Sequence, residues 1–209
     1  MPRWIFILPM LMLLGCEMPL QHPRSPAAFN QSSYYLVPDV KMPASLANEN
    51  CGAQAIATAA VSLDCSPPPF STDQLRAWKV SGANAVDLLI YARMLGLTAK
   101  VQRATWPSLL QIAQSNRRAL VMFDSSIEIW SPFGWWHRPT AQCVYHWAVV
   151  SGFARDGSSL LLAAPDGNNY LLSHDSFTRR WNLADDCLIT IALPGVATLD
   201  NGSPMHIRN

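Results

Sequence analysis

The chain has 209 residues, room for one domain with appendages; half of them are hydrophobic and only 14% are charged. A buried core is therefore expected and disorder throughout is excluded. Formal net charge is +1 and the sequence pI about 7.7, and Lys and Arg form no run or stripe, so nucleic acid is excluded as a partner.

Chain order begins with Arg3 and an apolar run over 4–14. That run is shorter than the roughly 20 residues a membrane-spanning helix needs, and it has the length of a signal-peptide core. It ends in Leu13-Leu14-Gly15-Cys16, which resembles the lipobox of bacterial lipoproteins. The resemblance implies a diacylglyceryl group on Cys16, a new N-terminus there, and membrane attachment through that lipid anchor. The expected location is the bacterial cell envelope facing the periplasm. Glu17 stands where an aspartate would retain the protein in the inner membrane, which favours the outer membrane.

Residues 17–43, rich in Pro, Ser, Gln and Asn, read as a flexible tether, with a domain over 44–194 and a polar tail over 195–209. Within the domain a helix is expected over 51–63, where Ala and apolar residues recur at helical spacing behind Asn48 or Asn50 as cap. Three prolines, Pro67 to Pro69, end it. Short helices follow over 71–78 and 84–95, the second closed by Gly96, then a strand over 97–101 and a helix over 106–115. A strand over 119–123 precedes an aromatic stretch, 125–141, which holds Trp130, Phe133, Trp135, Trp136 and His137 among Pro and Gly. Strands over 144–153 and 159–163 turn at Gly157, and a brief strand over 169–172, a helix over 173–181 and a strand over 187–193 complete the domain. Helices first and strands later imply an α+β fold with an antiparallel sheet.

A nucleophilic cysteine is best placed at a helix N-terminus, where orphan N–H groups and the macrodipole favour the thiolate. Cys51 opens the Ala-rich helix, and Gly52 beside it would let a substrate backbone approach the sulfur. The N–H groups of the same turn would supply part of an oxyanion hole. A thiol nucleophile also needs an imidazole base on a separate rigid element. His146, at the start of the strand HWAVVSGF, fills that role. Cys143 and His146 lack the second pair a structural zinc site needs, so neither metal nor cofactor is expected. With Cys51 kept as a thiol, one disulfide among Cys65, Cys143 and Cys187 is possible in an exported protein, with Cys143 and Cys187, each opening a strand, as the pair. The tryptophans Trp130, Trp135 and Trp136 read either as a substrate or partner loop or as a cap on the core.

The segments NENCGAQAIATAAVSL, STDQLRAW with GANAVDLLIYARMLGLTAKV, and HWAVVSGFARDGSSLLLAAPDGNNYLLSHDSFTRRW resemble, in order, the bacteriocin-processing double-glycine leader peptidase family. The similarity runs from about Asn48 to Leu193. It implies a papain-like cysteine peptidase fold: a helical half carrying Cys51 packed on an antiparallel sheet carrying His146. Two positions depart from the family pattern. Ser45 stands where a Gln completes the oxyanion hole, leaving Asn48, Asn50 and Gln54 as nearby amides, and Ala164 stands where an Asp precedes the proline. Asp166 is the expected orienting residue for His146, with Asn168 and Asn169 behind it. The reading is a lipoprotein that hydrolyses a peptide bond in an envelope peptide or protein. Its alternative is an inactive peptidase-like component of an envelope secretion or conjugation complex.

Overall fold

The computed structural model describes residues 24–40, 50–66, 82–124, 145–163 and 169–196. The architecture is α+β: a seven-stranded antiparallel sheet with helices on both faces. The strands are β1 (Tyr34–Leu36), β2 (Thr98–Arg103), β3 (Arg118–Asp124), β4 (Tyr145–Ala154), β5 (Ser159–Ala163), β6 (Asn169–Ser173) and β7 (Cys187–Ala192). The helices are α1 (Cys51–Val61), α2 (Ala85–Met94), α3 (Trp106–Ala113) and α4 (His174–Asn182). Sheet order is β2-β7-β3-β4-β5-β6, with β1 added to β4.

Alternation along the strands sorts their side chains into two layers. Leu120, Trp147, Val149, Ile189 and Ile191 pack against α1 and α2, meeting Ala53, Ile56, Ala60 and Leu88. Val121, Phe123, Ala148, Val150 and Leu188 face the other way, against Leu109 and Ile112 of α3 and Phe177 and Trp181 of α4. α1 is apolar on nearly every side, which suits a helix buried in the core. Its alanines let its backbone lie close to the sheet.

Local chemistry sets the element ends. Asn84 and Asp87 form a reciprocal capping box at the start of α2, with bonds of 2.9 and 3.0 Å. Gly96 (φ +76°) and Gly157 (φ +73°) take the left-handed conformation at the turn after α2 and at the β4–β5 hairpin. Thr105 caps α3, with Pro107 in its first turn, and Ser173 caps α4.

Part of the stretch read as a tether is docked. Residues 26–28 form a 3₁₀ turn, Phe29 and Val37 are buried, and β1 pairs with the end of β4, Tyr35 opposite Phe153 and Leu36 opposite Gly152. The Tyr35 and Phe153 rings stack at 5.1 Å. Three residues embedded in a Pro- and Ser-rich stretch carry too little alternation to announce a strand. Their partner is a β4 bulge and a glycine more than a hundred residues away. A Cβ on Gly152 would lie 2.5 Å from the Tyr35 carbonyl oxygen, so β1 can approach there only because Gly152 has no side chain. The expected helix over 71–78, the aromatic stretch 125–141 and the residues before 24 lie outside the described residues.

Candidate active site

Two contacts fix the direction of α1. At its C-terminal end, the buried Arg118 guanidinium donates from Nε to Ser62 Oγ (2.7 Å) and from Nη2 to the Ser62 carbonyl, and Nη2 also reaches the Pro38 carbonyl at 3.4 Å. Ser62 is the C-cap of α1, so this cation sits on the negative end of the helix dipole. At the other end, Trp147 Nε1 donates to the Ala83 carbonyl at 2.8 Å, and the Ala83 methyl fills the place a side chain on Gly52 would need. Arg118 begins β3, whereas Trp147 lies near the start of β4, alongside the end of β3. α1 therefore runs along the sheet with Cys51 at the end where β4 begins.

Cys51 and His146 both lie toward that end. Cys51 is the first residue of α1 and 6% exposed. Asn50 caps the helix by accepting the Gly52 N–H at 2.8 Å. The cap occupies Asn50 Oδ1 and the Gly52 N–H, which removes that N–H from the set available to an oxyanion. The sequence reading gave Gly52 the role of admitting substrate; the structure gives it a packing role, because Ala83 takes the space. Gln54, one turn into the helix, is partly exposed. His146, the second residue of β4, is 8% exposed, and its ring meets Phe123 edge to face with centroids 5.5 Å apart. Its neighbour Trp147 points to α1, so by strand alternation the imidazole leaves the other face of β4, the face that carries Phe123. Nδ1 of His146 is buried without a hydrogen-bond partner among the described residues; Cys51 Sγ is not bonded to it.

β5 runs antiparallel to β4, Leu162 opposite Val150 and Leu160 opposite Phe153, so the chain leaves β5 at the same end of the sheet. It returns at Asn169, which is buried, pairs with Ala163, and exchanges backbone bonds of 2.8 Å with Arg24. The connection between them is 164–168, which contains Asp166 and Asn168. Those two residues, with Asn48, Ser45, Cys16, Trp130, Trp135, Trp136 and Cys143, lie outside the described residues.

No known family profile matches the chain, and no curated protein matches it. Solved structures do. A double glycine motif protease from an AMS/PCAT transporter, in complex with the leader peptide, is 18% identical, covering 76% of this chain and 96% of that one with a TM-score of 0.49. The peptidase domain of Streptococcus ComA, a bi-functional ABC transporter involved in quorum sensing, is 19% identical over 76% of this chain and 97% of that one (TM-score 0.47). The peptidase domain of Streptococcus mutans ComA is 16% identical over 75% and 98% (TM-score 0.41). The likeness to these protease and peptidase domains, at 16–19% identity, is one of fold.

The remaining thiols are separated by environment. Cys51, Cys65 and Cys187 are not in disulfides, so the expected pairing of Cys143 with Cys187 does not form. Cys187 lies in the sheet opposite Arg103 and is 1% exposed, and burial, with Asp185 nearby, pushes its thiol up to about 12. It remains a protonated, inert core residue. What sequence reasoning missed is the pair of fasteners, Arg118 on Ser62 and Trp147 on Ala83. An indole N–H in an apolar strand needs a buried acceptor, which is a signal; nothing local names Ala83 as that acceptor.

Proposed function

We propose that this protein is a papain-like cysteine peptidase, with Cys51 as nucleophile and His146 as base, acting on a peptide or protein of the bacterial envelope. The observation that carries it is the placement of Cys51 at the capped N-terminus of α1, at the sheet end where β4 presents His146 and from which β5 exits. In the reaction, His146 takes the Cys51 proton and the thiolate attacks the scissile carbonyl carbon. The tetrahedral oxyanion is held by the Cys51 backbone N–H with an amide from Asn48 or Gln54. His146 then protonates the leaving amine, and water activated by the same imidazole hydrolyses the thioester. Asp166, in the 164–168 connection, orients the ring.

The orphan Nδ1 of His146, together with Ser45 and Ala164 at the two departing positions, supports a second reading: an inactive peptidase-like component that binds a partner in an envelope secretion complex. A peptidyl probe with a thiol-reactive warhead separates the two. Covalent labelling of wild type that is lost in Cys51→Ala supports the peptidase; equal labelling of both proteins, or none of wild type, supports the binding component.

The reading also places the protein on the membrane through Cys16, and among the described residues no helix is long and apolar enough to cross a membrane. Palmitate labelling in cells should tag wild type, and Cys16→Ala should lose the tag and leave the membrane fraction. Membrane association unchanged in an unlabelled Cys16→Ala protein contradicts the anchor.

A further inference from the structure

We infer that the β2 edge of the sheet carries a binding site for a small oxyanion, a carboxylate or phosphoryl group, separate from the Cys51 end. Thr98, Lys100, Gln102, Arg117, Thr190 and Ala192, with Val196, line a small open pocket there. The strand residues among them alternate with Ala99, Val101, Ile189 and Ile191, which face α1 and α2, so the pocket opens on the opposite face of the sheet. β3 places it far from the nucleophile. Arg117 immediately precedes that strand and His146 lies opposite its penultimate residue, about 20 Å away at roughly 3.3 Å per residue.

The lining has the character of an anion cradle. Arg117 is only 5% exposed, and no described carboxylate pairs with it. Burying a guanidinium without a counter-charge is costly, and a bound anion removes that cost. Thr190 is 8% exposed, and its Oγ1 is buried with no hydrogen-bond partner among the described residues. Gln102, 4% exposed, adds an amide on the neighbouring strand, and Lys100 lies directly opposite Thr190 in the register. A forked guanidinium, a hydroxyl and an amide, with no acid among the lining residues, match the oxygens of a carboxylate or phosphoryl group.

The test is calorimetric titration of the full chain with inorganic phosphate and, separately, with acetate, at ionic strength held constant with chloride. Saturable binding of at least one anion is expected, weakened about tenfold in Arg117→Gln, because one charge-assisted contact is lost. Thr190→Val, which keeps the volume and removes only the hydroxyl, should weaken it measurably and carries the test if Arg117→Gln does not fold. Tighter binding of phosphate assigns a phosphoryl ligand and tighter binding of acetate a carboxylate. No saturable binding of either anion by wild type, or binding unchanged in Thr190→Val and in any folded Arg117→Gln, overturns the inference.

Discussion

Replacing Gly52 by Ala puts a methyl group where the Ala83 Cβ already sits, with Asn50 Oδ1 at 3.1 Å and Leu88 Cδ2 at 3.4 Å on its other sides. Two effects oppose each other. A glycine-to-alanine change inside a helix is worth about 0.5–1 kcal/mol in favour of folding. Forcing an extra carbon into a packed interior costs about 1–3 kcal/mol. The clash is with a short side chain on a segment whose carbonyl holds Trp147, so it cannot be relieved by rotating a flexible tail. The net expectation is a loss of about 1–2 kcal/mol, or roughly 3–6 °C in Tm for a chain of this size. The assay is thermal unfolding of Gly52→Ala, Ala83→Gly and the double variant. If the Ala83 methyl is the obstacle, the double variant should be more stable than the sum of the single changes by about 1 kcal/mol or more. Strict additivity, or a Gly52→Ala protein that melts above wild type, refutes the packing role and returns Gly52 to the substrate side.

Arg118→Met should cost about 2–4 kcal/mol by leaving Ser62 without its buried charge-assisted donors, read as a lowered urea midpoint at unchanged slope. Gly152→Ala should free β1 from β4, read as faster amide exchange at Tyr35 and Leu36. Cys187 is held protonated with its pKa raised from 9.0 to about 12. Its contribution to stability is therefore complete below pH 9 and is lost as pH rises toward 12. Cys187→Ala should show a smaller fall in Tm across that window than wild type. Asp166→Ala should cut peptidase turnover by orders of magnitude with Tm little changed, while Asn168→Ala and Asn169→Ala are milder in activity; equal activity in Asp166→Ala and wild type removes Asp166 from the site.

Most of the element pattern was readable because its causes are local. Asn84 with Asp87, Gly96, Gly157 and the Ser173 cap each specify an element end within four residues, and the apolar run from Trp147 to Phe153 specifies a buried strand. The start of α1 at Cys51 was readable for the same reason, since Asn50 is a cap before an apolar helix. What stayed hidden depends on partners distant in sequence. β1 exists because Gly152 leaves space for the Tyr35 carbonyl, and α1 is aimed by Arg118, 56 positions from Ser62. The disulfide expectation failed at Cys187, whose thiol is free. Cys187 pairs across to Arg103 and faces the core instead.

The central claim is that helix position and His146 make Cys51 a nucleophile despite its burial, whereas burial alone keeps Cys187 inert. It is tested most directly by site-resolved iodoacetamide alkylation, followed by mass spectrometry as a function of pH, in wild type and His146→Ala. The account predicts that Cys51 alkylates in wild type well below the pH at which an ordinary exposed thiol reacts, that the profile moves to higher pH in His146→Ala, and that Cys187 stays unmodified in both. A Cys51 as unreactive as Cys187, with a profile indifferent to His146, would contradict it.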